Sequence, residues 1–246
     1  NAVAVVIGLR VLLRHLPLGD GFEFRPQVVR QIVAIGAPGS LEHMLRNMAG
    51  FALVAFLFPF GAAVLSGYTA GLAVLMILIC PGLALGQATA SLVGQSLGAN
   101  RPDQAWRTAG SAALLYATFM AFAGALVFVF AEPAIAAFDI NPLAISAGAT
   151  FLRTLAPALP LLGVGLILGK AFSGARRPKT ALAASALSHL GVQLPLVALL
   201  TALSGPTGAY LGMALAYAIH GIVSAIFFAR LFRTDLLQPE HQEVTQ

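Results

Sequence analysis

No charged residue stands between Asn47 and Asn100, and none between Thr180 and Ala229. As one helix the first run would extend roughly 80 Å at 1.5 Å per residue, whereas a hydrocarbon core of about 30 Å is crossed by about 20 apolar residues. It must therefore fold back. "FGAAVLSGY" at 60–68 supplies small residues for that turn, and "SGPTG" at 204–208 breaks the second run. Splitting the chain at such points predicts helices near 28–58, 64–97, 104–130, 144–172, 179–203 and 208–232. Strand-like alternation is absent, which argues against an outer-membrane barrel. Helices satisfy their backbone groups internally and so suit a medium without water. The expected fold class is all-α integral membrane, a six-transmembrane-helix bundle. The expected organisation is the end of a preceding transmembrane helix at 1–14, a cytoplasmic loop at 15–27, the six-helix lobe at 28–233 and a polar cytoplasmic tail at 234–246.

Composition strengthens this reading. The chain is 59% hydrophobic and 9% charged, with mean hydropathy +0.87, against roughly 25% charged residues in a soluble domain. Such a chain cannot cover its surface with polar groups. Cys80 is the single cysteine, which excludes an internal disulfide and a cysteine-based metal cluster. The start, "NAVAVVIGLRVLLR", has no initiator Met and no signal-peptide pattern. It reads as the end of an apolar helix, so the chain reads as a fragment.

The net charge of +5 raises nucleic acid as a partner, and the placement of the charges argues against it. Arg10, Arg14, Arg25 and Arg30 flank the first connection, Arg101 and Arg107 the third, and Arg176, Arg177 and Lys179 the fifth; Arg230 and Arg233 lead the tail. Eleven of fourteen basic residues thus fall on alternate connections, as the positive-inside rule requires of six crossings. The fourth connection carries Glu132 and Asp139 instead. The basic connections and the tail are expected on the cytoplasmic side of a bacterial inner membrane. Short, separated loops make no nucleic-acid surface, and the lipid bilayer is the expected environment.

Three basic residues remain: Arg46, Arg153 and Lys170. Lys170 lies near a cytoplasmic helix end and can snorkel, as can Arg153, about two turns into its helix from the outer side. Arg46 lies near mid-helix, and so does Glu42. They stand at i and i+4, on one face, flanked by His43 and Asn47, with Pro38 removing a backbone hydrogen bond earlier in the helix. Glu42 lies roughly 15 Å into the helix counted from Ile32. An ionisable group at that depth points to ion or substrate coupling; the alternative is a structural ion pair, which lowers the cost of burial but seldom repays it. Gln87 is the further polar candidate, in "LGQATASLVGQSLGANRPDQAWRTA" at 85–109. There Gly86, Ala90, Gly94 and Gly98 recur every fourth position, which permits close helix contact. His189, Gln193 and His220 are read as structural hydrogen-bonding groups, since two separated histidines without nearby carboxylates make a poor metal site. Trp106 and Tyr210 are read as interfacial anchors.

"LVGQSLGANRPDQA" resembles the eighth-helix and loop signature of MATE (multidrug and toxin extrusion) transporters. "IGAPGSLEHML" resembles the start of their seventh helix, and "FLRTLAPALPLLGVGLILGKAFSGARRPKTAL" their tenth helix and exit loop. The order and spacing of all three agree over 15–233. The resemblance implies one lobe, the carboxy-terminal one, of a twelve-helix transporter, whose partner is an amino-terminal lobe of the same transporter. Family members export cationic or amphipathic small molecules in exchange for H+ or Na+, by rocking one lobe against the other; no cofactor beyond that coupling ion is implied. Many members carry an acid in the tenth helix, where this chain offers Lys170 and Ser173. The competing functions are a lipid-linked oligosaccharide flippase and a non-transporting membrane subunit. An intramembrane enzyme is disfavoured: the usual motifs are missing, and Glu42 and His43 point about 100° apart on a helix.

Overall fold

The computed structural model describes residues 26–236. The expected helix end at 1–14 and most of the loop at 15–27 and of the tail at 234–246 lie outside the described residues. The chain divides into two compact units, Asn1–Ala34 and Ile35–Gln246, and the helical bundle is the second. The helices are α1 (Pro26–Leu57), α2 (Ala62–Gly98), α3 (Pro102–Val129), α4 (Ala131–Ala136), α5 (Pro142–Leu155), α6 (Leu159–Gly174), α7 (Pro178–Ala186) and α8 (Leu194–Leu236). Among the described residues five stretches are long and apolar enough to cross a membrane: Gly39–Phe60, Ala62–Gly98, Pro102–Val129, Pro142–Gly174 and Pro178–Leu231.

The last stretch has 54 residues, about 80 Å as a straight helix, and it does not run straight. Gly205 has φ 63°, ψ −144°, and Pro206 follows it. The two arms fold back on each other: a β-carbon on Gly208 would stand 1.9 Å from the Leu200 carbonyl oxygen, and one on Gly212 would stand 2.9 Å from Val197 Cα. The "SGPTG" break is thus a helical hairpin, and the fifth stretch supplies two arms.

Prolines shape the other irregularities. Pro157 and Pro160 cannot donate to the preceding turn, and a tight 3-10 turn, Ala156–Ala158, joins α5 to α6. Pro195 would crowd the carbonyl one turn before it, and the preceding turns widen into a π-helix, Leu187–Gln193. Pro81 interrupts the backbone ladder of α2. The Tyr116 hydroxyl of α3 donates to Leu78 O at 2.8 Å beside it, and Gly82 leaves the room, since a β-carbon there would stand 2.1 Å from Tyr116 Cζ.

α6 is central, with ten of its sixteen residues buried. Tyr68, Phe151 and Tyr210, each exposed by 1% or less, form an aromatic cluster that ties α2, α5 and α8 together. The Tyr68–Phe151 and Phe151–Tyr210 centroids are 5.1 and 5.2 Å apart, edge to face. Tyr210 is therefore a core residue rather than the expected interfacial anchor. The outer surface is apolar: on α3, Leu114, Phe122 and Val129 are 66–69% exposed. Water would oppose that arrangement and lipid does not.

Connections two, four and six meet at one end of the bundle. The Ser66 hydroxyl donates to Asp139 Oδ2, and Phe60 lies against Gly205, 3.5 Å from where its β-carbon would stand. Asp139 also accepts from the Asn141 N–H at 2.9 Å, and Asn141 caps α5 by accepting from Leu143 N at 2.9 Å. Arg153 pairs with Glu132 at 3.1 Å near the same end, and the pair is exposed, so it contributes little. The remaining two described connections share one geometry. "GANRP" at 98–102 and "GARRP" at 174–178 each place a residue at φ 56°, Asn100 and Arg176. Each is followed by an N–H bonded five residues back, Arg101 to Ser96 O at 2.9 Å and Arg177 to Phe172 O at 2.8 Å. That is the helix-ending Schellman turn, used twice and carrying the arginines both times.

The Ser66 hydroxyl, ahead of the Asn141 N–H, holds the Asp139 carboxyl below its usual range. A carboxylate with a depressed folded pKa contributes stability above its unfolded value, near pH 4, that is lost as the pH falls through the folded value. Thermal unfolding in detergent at pH 5 and pH 3 is expected to show a smaller acid-induced fall for Asp139→Asn than for the wild type.

Candidate coupling site

α1 enters the bundle on one face. Ala49, Leu53 and Leu57 are each at most 2% exposed, and Glu42, seven residues before Ala49, lies on the same stripe. Glu42 is 8% exposed and is the one buried acid among the described residues. Counted from Pro26 it sits sixteen residues into a helix of 32, three residues into the membrane-spanning stretch that starts at Gly39. Its carboxyl meets α6 at Gly169, where a β-carbon would stand 3.9 Å from Glu42 Oε1. The next residue, Lys170, turns to α2: its stem lies over Gly86, with Cγ 2.9 Å from where that glycine's β-carbon would stand. Neither Glu42 nor Lys170 is without a partner. The Ser173 hydroxyl, one turn on, donates to Gly169 O at 3.4 Å.

The packing under Lys170 uses the small-residue stripe. A β-carbon on Gly174 would stand 2.2 Å from Ala90 O, and one on Gly94 would stand 3.3 Å from Gly174 O. Gly86, Ala90 and Gly94 therefore face α6, whereas Gly98 has nothing within 4 Å. α6 thus presents a glycine to the carboxylate of α1 and a lysine to the glycine of α2, on consecutive residues.

Asn47 is exposed, on a different face of α1 from Glu42, together with Met44, Met48 and Phe51 at 58%, 51% and 75% exposure. Gln87 is exposed beside Gly86. The side chains of His43 and Arg46 lie outside the described residues, and with them the expected Glu42–Arg46 pair. Sequence reasoning treated Lys170 as a helix-end group; its one available signal was the small-residue spacing of Gly86 opposite it, which names no partner. It also separated His189 from His220. The His189 ring bonds Gln193 as expected, Nδ1 to Oε1 at 2.7 Å, but its centroid also lies 5.3 Å from that of His220.

The described residues thus form an all-helical bundle with a carboxylate buried on one helix, against a glycine of the central helix. The family model that matches, MatE, covers residues 38–200, and the chain belongs to that family. It is an integral membrane protein. Among curated proteins it is 22% identical over 230 residues to a probable multidrug resistance protein of Bacillus subtilis, covering 93% of this chain and 52% of that one. It is 24% identical over 196 residues to an FAD transporter of Shewanella oneidensis, covering 78% and 42%. The chain spans about half the length of these relatives. Its fold matches the crystallised Vibrio cholerae MATE transporter VcmN with TM-score 0.82 and 20% identity, over 95% of this chain and 53% of that one. An outward-facing multidrug resistance MATE transporter matches with TM-score 0.81 and 19% identity, over 87% and 49%. The fold is thus one lobe of the MATE architecture.

Proposed function

We propose that the chain serves as one lobe of a twelve-helix secondary transporter that exports cationic or amphipathic small molecules in exchange for H+ or Na+. The observation that carries the reading is Glu42, a carboxylate buried on α1 against Gly169. An ionisable group inside a membrane bundle is costly and marks an ion or substrate path. A carboxylate there takes up a proton or a sodium ion and so changes the charge of the site by one. Lys170, next to Gly169, sets a competing cation on the neighbouring face of α6. The exposed Met44, Met48 and Phe51 face of α1 supports drug-like substrates, because thioether and aromatic surfaces accept varied apolar shapes. A second lobe closes the cavity on that face, and alternating access rocks the two lobes. The arginine-bearing turns at 98–102 and 174–178 face the cytoplasm of a bacterial cell.

Cells expressing the full gene that encodes this chain are expected to accumulate less of a cationic dye when a proton or a sodium gradient is imposed. Equal accumulation with and without either gradient would overturn the reading.

A further inference from the structure

Away from the α1 face, the interior holds a second polar seam. On one side it runs along α7 and the π-helical segment through Ser185, Ser188, His189 and Gln193; on the other it runs along α8 through His220 and Ser224. All six are at most 4% exposed. The His189 and His220 ring centroids are 5.3 Å apart with planes tilted by 33°. His189 Nδ1 and Gln193 Oε1 stand 2.7 Å apart, and the tautomer of the ring sets which way the hydrogen of that bond points. The seat of His220 is built into α6: a β-carbon on Gly165 would stand 2.5 Å from His220 Cδ2 and 3.0 Å from Nε2. The Ser185 and Ser224 hydroxyls, one turn outside each histidine, are buried without a hydrogen-bond partner.

We propose that His189 and His220 together bind a single proton inside the bundle, one helical turn along α6 from Glu42. Imidazole is the side chain whose ordinary titration lies between pH 5 and 8. At this spacing two buried imidazolium ions repel strongly, so the pair holds one charge and titrates as a unit. With no third His, Cys, Asp or Glu to complete a metal site among the described residues, a proton suits the pair better than a metal ion. Glu42 meets α6 at Gly169 and His220 meets it at Gly165, about 6 Å apart along the helix axis.

Other titratable groups are accounted for. Tyr217 faces the His189 ring edge-on at 6.1 Å. Lys170 is turned to Gly86. Tyr210 packs on Phe151, and Tyr116 of α3 donates to Leu78 O. Arg153 of α5 pairs with Glu132. Lys179 and Arg230 stand ten residues from the nearer histidine, roughly 15 Å along their helices.

The site coincides with the seven-residue π-helix Leu187–Gln193, a geometry that is rare and concentrates at functional positions. Proton uptake on His189 adds charge where the π-turn meets α8, so the pair reads out as a change in how the two arms pack. Its use in export rests on the antiport reading above and commits that reading to H+.

The test is histidine 15N NMR of the full-length protein in nanodiscs between pH 8 and pH 5. His15, His43 and His241 are replaced by Gln to isolate the pair. The expected result is joint titration of both rings with a total uptake of one proton. Rings that stay neutral throughout, or that each take up a full proton independently, would overturn the proposal. His220→Gln is expected to abolish the joint transition. Should that variant fail to fold, the proton count on the two wild-type rings carries the test alone. Joint titration in a protein that exports nothing would sink the transport reading and leave the proton site standing.

Discussion

Glu42→Gln is expected to reduce gradient-driven export by roughly tenfold or more, about 1.4 kcal/mol of coupling, while leaving the amount of protein in the membrane unchanged. Glutamine keeps the size of glutamate and one of its acceptor oxygens, exchanges the other for an NH2 donor, and removes both the charge and the ability to change it. Ala49, Leu53 and Leu57 carry the buried face of α1, and that apolar anchoring is unchanged by the substitution. Dye accumulation under imposed gradients, with yield measured on the same membranes, separates the two roles. Export at the wild-type level would remove Glu42 from the mechanism. Lost yield would make it a structural counter-charge. Arg46→Ala then discriminates further, because an arginine present only to neutralise Glu42 lowers yield where Glu42→Gln does not.

The crossing pattern was legible because charge is excluded from lipid. The charge-free runs marked the spans, and small or proline-bearing breaks such as "SGPTG" marked the turns. The structure turns that break into a hairpin at Gly205. The spacing of Gly86, Ala90 and Gly94 announced a close helix contact, and α6 makes it. What sequence could not show was which face meets which helix. In water, periodic polarity separates core from surface; here both lipid and core are apolar, so Tyr210 read as an anchor and is a core residue. The irregular turns at Ala156–Ala158 and Leu187–Gln193 follow from prolines, but whether a proline kinks, tightens or widens a helix depends on its neighbours. Glu42 stood out by its charge alone. The His189–His220 contact depends on the fold of the last hairpin, so nothing local signals it.

The same packing makes the largest stability prediction. Gly174→Ala would place a methyl group 2.2 Å from Ala90 O, 2.8 Å from its carbonyl carbon and 2.8 Å from its Cα. These are backbone atoms of α2, so no side-chain rotation relieves the overlap, and the two helices must separate by about 1 Å to restore ordinary contact. Overpacking a well-filled interior costs about 1–3 kcal/mol, and this contact lies at the upper end of that range or beyond it. Moving α2 also disturbs Gly94 and the Lys170 stem over Gly86, so the loss extends toward Glu42. Gly98→Ala is the control on the same stripe: nothing lies within 4 Å of its β-carbon position, and replacing a helical glycine by alanine gains up to about 1 kcal/mol. Thermal unfolding in detergent is expected to show a lower midpoint for Gly174→Ala and an unchanged or higher one for Gly98→Ala. If both variants unfold with the wild type, α2 and α6 do not approach this closely, and the site that their contact positions loses its support.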